Sequence, residues 1–140
     1  MHKHTWVAAV LISVYACGSG APFGMVEFGA LDLEGTVDTD YLARQLAPLD
    51  PRFEACYVRA LRKNRATEGT IQIKLRGSGG KLMAEITTND TGSDDLSLCV
   101  TENISALSIV EPSATEPWKF TGDWSIKFQI ARMPSRDSTQ

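Results

Sequence analysis

The 140 residues carry 14 Lys+Arg against 17 Asp+Glu, a net charge of −3, with 43% hydrophobic and 22% charged side chains. That balance describes one packed domain rather than a disordered chain. The acidic excess excludes a broad nucleic-acid footprint, which needs clustered positive charge to displace counterions from phosphate, so no nucleic-acid partner is expected.

The chain opens on His2, Lys3 and His4, and Trp6 to Ala16 follows without a charged side chain. Those eleven residues would reach about 16 Å as a helix, well short of a hydrocarbon core of about 30 Å. A basic start, a short apolar run and a small residue at its end make residues 1–16 a signal peptide. Val14-Tyr15-Ala16-Cys17 resembles a bacterial lipobox, in which the cysteine is lipidated and becomes the mature N-terminus. The alternatives are an ordinary cleaved signal in which Cys17 is incidental, or a short uncleaved anchor. Lipid attachment is energetically reasonable, since each buried methylene contributes roughly 0.8 kcal/mol. Gly18 stands where lipoproteins kept at the inner membrane carry Asp, which favours the outer membrane, facing the periplasm. Residues 17–24 then comprise the lipidated cysteine and a Gly/Ser/Pro tether.

Without Lys3 the 14 basic side chains become 13 against 17 acidic ones, and the net charge moves from −3 to −4. His2 and His4 are the two histidines of the chain, so the expected mature protein has none. That excludes a Ser-His-Asp or Cys-His nucleophile pair and any His-ligated metal, and no metal or cofactor is expected. Beyond Cys17 there are Cys56 and Cys99, which export would place in an oxidising compartment. Bonded to each other, they would stabilise the fold by roughly 4 kcal/mol in the chain-entropy model. The alternative is two separate buried thiols acting as small hydrophobes.

Partial alternation of Val26, Phe28 and Ala30 predicts a first strand over residues 25–33. Asp38 caps a helix with Tyr41, Leu42 and Leu46 on its apolar face, and Pro48 stops it. Asp50-Pro51 then starts a second helix, as N-cap and first-turn proline. Its apolar face is Phe53, Cys56, Tyr57, Ala60 and Leu61 at three- and four-residue spacing. Arg62, Lys63 and Arg65 lie at its C-terminal end, where cations oppose the helix dipole. Ile71, Ile73 and Leu75 alternate with Thr70, Gln72 and Lys74. Gly77 to Gly80 turns the chain, and Leu82, Ala84 and Ile86 bring it back as a hairpin. Ser93 caps a third helix with Leu96, Cys99, Val100, Ile104 and Leu107 on its inner side. Trp124, Ile126, Phe128 and Ile130 alternate along a last strand, and residues 132–140 are a polar tail. The prediction is an α+β domain over 25–131. Its order is β-α-α-β-β-α-β, a small antiparallel sheet with helices on one face. Cys56 and Cys99 each lie on the inward side of a helix, which could bring them within bonding range.

Gly35-Thr36-Val37-Asp38, Cys56-Tyr57-Val58-Arg59-Ala60-Leu61, Asn64, Gly69 and Cys99-Val100 occur in one ordered set, closed by the aromatic strand Ile126 to Ile130. This set resembles the AgmX/PglI C-terminal domain family, itself similar to the TonB C-terminal fold, over roughly residues 30–131. Arg65 departs from the family's usual proline, and Ser108 to Pro117 lacks its Phe-Pro. The resemblance implies a TonB C-terminal-like fold and carries no catalytic residues with it.

Three functions follow as expectations. The first is a lipid-anchored, periplasm-facing, non-catalytic module, held to the membrane through Cys17 and bound to an envelope protein, for instance by a strand added at a sheet edge. The second is a secreted or periplasmic enzyme built on carboxylates, with Asp94 and Asp95 as the candidate pair, or on a Ser-Lys pair; adjacent aspartates at a helix start fit capping charge better. The third is a structural envelope protein without a dedicated ligand. Arg59, Arg62, Lys63 and Arg65 are candidates for contact with an anionic surface, against their reading as a solvated helix end. Trp118 and Trp124 fit a core better than a sugar platform.

Overall fold

The computed structural model describes residues 23–112 and 115–131. The expected signal peptide, Cys17, the expected tether as far as residue 22 and the expected polar tail lie outside the described residues. In chain order the elements are β1 (Phe23–Phe28), β2 (Asp32–Thr36), α1 (Thr39–Leu46), α2 (Leu49–Lys63), β3 (Gly69–Ser78), β4 (Lys81–Asn89), α3 (Asp94–Ala106) and β5 (Lys119–Ala131). Strand β5 lies inside the sheet. It pairs on one side with β1 and β2 in succession and on the other with β3, and β4 lies outside β3. Every pairing is antiparallel, so the α+β class with a small antiparallel sheet holds.

The single first strand expected over 25–33 is two strands, and the order is therefore β-β-α-α-β-β-α-β. The break has a local cause. Phe28 faces Ile126 and Asp32 faces Asp123, so three residues, 29–31, span the space of two on β5. This extra residue is accommodated at Gly29, whose amide donates to Ser125 O at 2.7 Å while its carbonyl accepts the Trp124 indole N–H at 3.1 Å. A side chain at this glycine would collide with Ser125. One extra residue exchanges the two faces of a strand. Val26 and Phe28 face inward before the break and Leu33 after it, while Ala30 is exposed.

Asp38 caps α1 as expected, its carboxylate accepting from Tyr41 N at 3.2 Å. Helix α2 begins earlier than Asp50. Pro48, at φ −61° and ψ −13°, already has helical geometry and precedes the first turn without a side-chain cap, and Leu49 is wholly buried. Asp50 thus lies inside the first turn, where its charge still suits the helix N-terminus. Ser93 caps α3 by accepting from Leu96 N at 3.0 Å.

The hairpin turn is narrower than Gly77 to Gly80. Gly79 and Gly80 alone form it, at φ 60° and 83°, the two positive values that match the twist of flanking strands. Gly77 belongs to β3, paired with Phe120 and placed so that the Phe120 ring occupies the space of a missing Cβ. The last strand likewise starts five residues before Trp124, at Lys119.

One face of the sheet carries Ile71, Ile73, Leu75, Trp124, Ile126 and Phe128, all buried, and receives Leu49, Phe53 and Tyr57 of α2. Edge-on ring contacts tie the layers together, Phe28 to Phe53 at 5.7 Å and Tyr57 to Phe128 at 5.2 Å, and Phe28 also meets Trp124 within the sheet at 5.0 Å. The alternate positions Gln72, Arg76, Thr121 and Lys127 are exposed on the opposite face.

Candidate functional site

Helix α2 turns a second side toward α3, and the expected cysteines meet there. Cys56 and Cys99 form a disulfide with their Cα atoms 5.9 Å apart, within the usual span. Both are buried, at 2% and 8% exposure. The helical repeat surrounds the bond with polar groups. Arg59, one turn after Cys56, directs its guanidinium at Cys99 Sγ from 2.7 Å. Asn103, one turn after Cys99, donates its amide to Cys99 O at 2.8 Å and lies 3.4 Å from Cys56 Sγ and 3.7 Å from Cys99 Sγ.

The bond forms part of the walls of two surface depressions. One, of about 290 Å³, is bounded by Arg59, Lys63, Asp95, Leu98 and Glu102. The other, of about 580 Å³, is bounded by Arg52, Val58, Arg59, Arg62 and Asn103. Cys56 and Arg59 line both.

The four cations expected as one anionic-surface contact are divided among different tasks. Arg59 lies against the disulfide, and Arg62 shares the larger depression with Arg52. Lys63 pairs with Asp95 across the helices, and Arg65 lies exposed past the helix end. The Lys63 ammonium, by hydrogen bond and by charge, holds the Asp95 carboxyl below the ordinary carboxylate range, with a smaller contribution from Arg59. Asp95 is thus engaged by a cation and Asp94 lies exposed beside it in the first turn of α3. Trp118 packs edge-on to Tyr41 at 5.6 Å, and both Trp118 and Trp124 are buried.

A second surface lies at the hairpin end of the open sheet face. A depression of about 700 Å³ there is bordered by Glu34, Arg76, Lys81, Met83, Lys119 and Thr121. It adjoins β4, an edge strand whose first residue bridges Ser108 and whose Met83 is 63% exposed.

Arg52, Asn103, Met83 and Lys119 were not singled out by sequence. Two of them had a signal: Arg52 lies seven residues before Arg59, hence on one helix face, and Asn103 lies four after Cys99. Met83 and Lys119 acquire their surroundings only from strand pairing. Among the described residues no three His, Cys, Asp or Glu side chains are grouped as metal ligands, and no helix is long and apolar enough to cross a membrane. No family model, curated protein or solved structure matches the chain.

Proposed function

We propose that this protein is a lipid-anchored, periplasm-facing module of the outer membrane, non-catalytic, of AgmX/PglI C-terminal and TonB-like type, which binds an envelope protein along β4. The supporting observation is the β4 edge itself: a nine-residue strand with one strand neighbour among the described residues and a single bridge to Ser108 at its start, an exposed Met83 and a depression of about 700 Å³ beside it. An edge strand offers unpaired backbone groups to an incoming extended segment, and an adjoining depression accepts its alternate side chains. Arg76, Lys81 and Lys119 outnumber Glu34 around that depression, which suits a segment bearing acidic residues.

A photo-crosslinking residue at Met83, in protein kept in its native envelope, is expected to give one dominant adduct. The same residue at Lys127, on the open face away from the edge, is expected to give none. Equal capture at both positions rejects the edge as the binding surface. Mass spectrometry of the protein from separated membranes tests the anchor: lipid on Cys17 and residence in the outer membrane are expected. An unmodified Cys17 in the soluble fraction rejects that part.

A further inference from the structure

We propose that the Cys56–Cys99 bond is an exchangeable redox site rather than an inert staple. A low-molecular-weight thiol carrying carboxylates opens it at Cys56, and Cys99 departs as a thiolate held by Arg59. The inference stands on the α2–α3 seam alone and is independent of the anchor and of the β4 edge.

The asymmetry of the two sulfurs decides the direction. Thiol–disulfide exchange places negative charge on the departing sulfur, and a cation beside that sulfur both speeds its departure and stabilises the product. A guanidinium lies 2.7 Å from Cys99 Sγ, whereas Cys56 Sγ has the neutral Asn103 amide at 3.4 Å. The remaining charges are divided between the two sulfurs. From α2 come Arg52, Arg62 and Lys63; from α3 come Asp95, which Lys63 engages, and Glu102. Arg52 and Arg62 line the depression that Cys56 borders, and Asp95 and Glu102 line the one that Cys99 also borders, so the direction rests on the contact of Arg59 with Cys99 Sγ.

Access and selectivity come from the depressions. The larger one, about 580 Å³, is of the size that holds small ligands, and the largely buried Cys56 forms part of its wall with Arg52, Arg59 and Arg62. Guanidinium groups recognise carboxylates through paired N–H donors. A thiol bearing carboxylates is therefore drawn to the side of the bond that Cys56 occupies.

The chemistry balances without another reagent. The external thiolate forms a bond to Cys56 Sγ, the bond between Cys56 and Cys99 breaks, and its electron pair remains on Cys99 Sγ opposite Arg59. A second thiolate attacks the external sulfur of this mixed disulfide, releasing the oxidised thiol dimer and the Cys56 thiolate, which takes a proton from water. The protein gains two electrons and two thiols are oxidised.

The test uses the full chain in detergent with Cys17→Ser, so that one cysteine pair reacts, and glutathione as the probe. Opening is expected to be first order in glutathione. An acid quench followed by alkylation is expected to place glutathione on Cys56 and the alkyl group on Cys99. Arg59→Met should slow opening about tenfold, and Arg59→Lys, which keeps the charge, should remain within about threefold of the parent. Compared per thiolate, glutathione should react at least threefold faster than the cationic thiol cysteamine, and Arg52→Ala with Arg62→Ala should remove that preference. A rate independent of thiol concentration, which marks opening through global unfolding, overturns the proposal. So does glutathione on Cys99, or an Arg59→Met rate equal to or above the parent rate. Equal reactivity of glutathione and cysteamine overturns the carboxylate selectivity.

Discussion

Helix α2 works on two sides, and they hold the molecule by different physics. Toward the sheet it presents Leu49, Phe53 and Tyr57 to Phe28, Trp124 and Phe128, a contact made of apolar area and ring geometry. Toward α3 it presents Cys56, Arg59 and Lys63, a contact made of one covalent bond, a guanidinium and an ion pair. The first side should respond to lost volume and be indifferent to redox state, pH and salt. The second should respond to all three.

Phe53→Ala breaks the first side most directly. Phe53 is wholly buried between Phe28 and Trp124, and truncation of such a ring costs about 3–5 kcal/mol. Urea unfolding should show a much lower midpoint with an unchanged slope, and the near-ultraviolet signal of Trp124 should change. A loss below about 1 kcal/mol would mean that the ring stack contributes little. The corresponding change on the other side is Cys56→Ala with Cys99→Ala. Loss of the cross-link, at a sequence separation of 43, is expected to cost about 2–4 kcal/mol. Because the aromatic side is untouched, the near-ultraviolet spectrum should persist in this variant. Its loss would show that the two sides are not separable.

The same contrast explains what the sequence could reveal. The sheet-facing side was legible because its information is local: Phe53, Tyr57 and Leu61 repeat at helical spacing whatever they touch. Strand identity was legible for β3 and β5 from the alternation of Ile71, Ile73 and Leu75 and of Trp124, Ile126 and Phe128. It was lost at Gly29, where one extra residue exchanges the faces of the strand and blurs its period. The seam was legible only in part. Counting cysteines raised the pair, but no local pattern assigns Arg59 to Cys99 Sγ or separates Lys63 from its neighbours as the partner of Asp95. Those assignments depend on how α3 lies beside α2, and hence on the β3–β4 hairpin that places it. The basic cluster therefore reads as one patch along the chain, whereas in space Arg59 meets the disulfide, Arg62 shares a depression with it, Lys63 pairs with Asp95 and Arg65 lies exposed.

A smaller effect sharpens the comparison on the sheet side. The Tyr57 hydroxyl, although it belongs to the aromatic stack, donates to Thr67 O at 2.6 Å, and Thr67 is itself buried. Tyr57→Phe keeps the ring and removes the donor, leaving a buried carbonyl short of a partner at a cost of about 1–2 kcal/mol. Hydrogen exchange should quicken in the loop after α2, around Thr67, and remain slow in β5. Uniform acceleration across the domain would place the effect in the core instead.

The smallest effect is expected at Lys63 and Asp95, and its sign is fixed. Both side chains are largely exposed, at 73% and 64%, so solvent and salt screen the pair. Because Lys63 holds the folded-state pKa of Asp95 below its unfolded value, the stabilisation is fully present above the ordinary carboxylate range. It is lost as pH falls through the lowered folded value, where the carboxylate takes up its proton and Lys63 no longer has a charged partner. Lys63→Met should therefore lower the urea midpoint slightly at pH 7 and by progressively less as the pH falls below the ordinary carboxylate range, and high salt should close the gap at pH 7. Phe53→Ala measured alongside should show the same deficit at every pH and salt concentration at which the fold persists. A Lys63→Met deficit that grows toward acid would mean that Lys63 acts through packing of its aliphatic stem, and the seam would then share the physics of the sheet side.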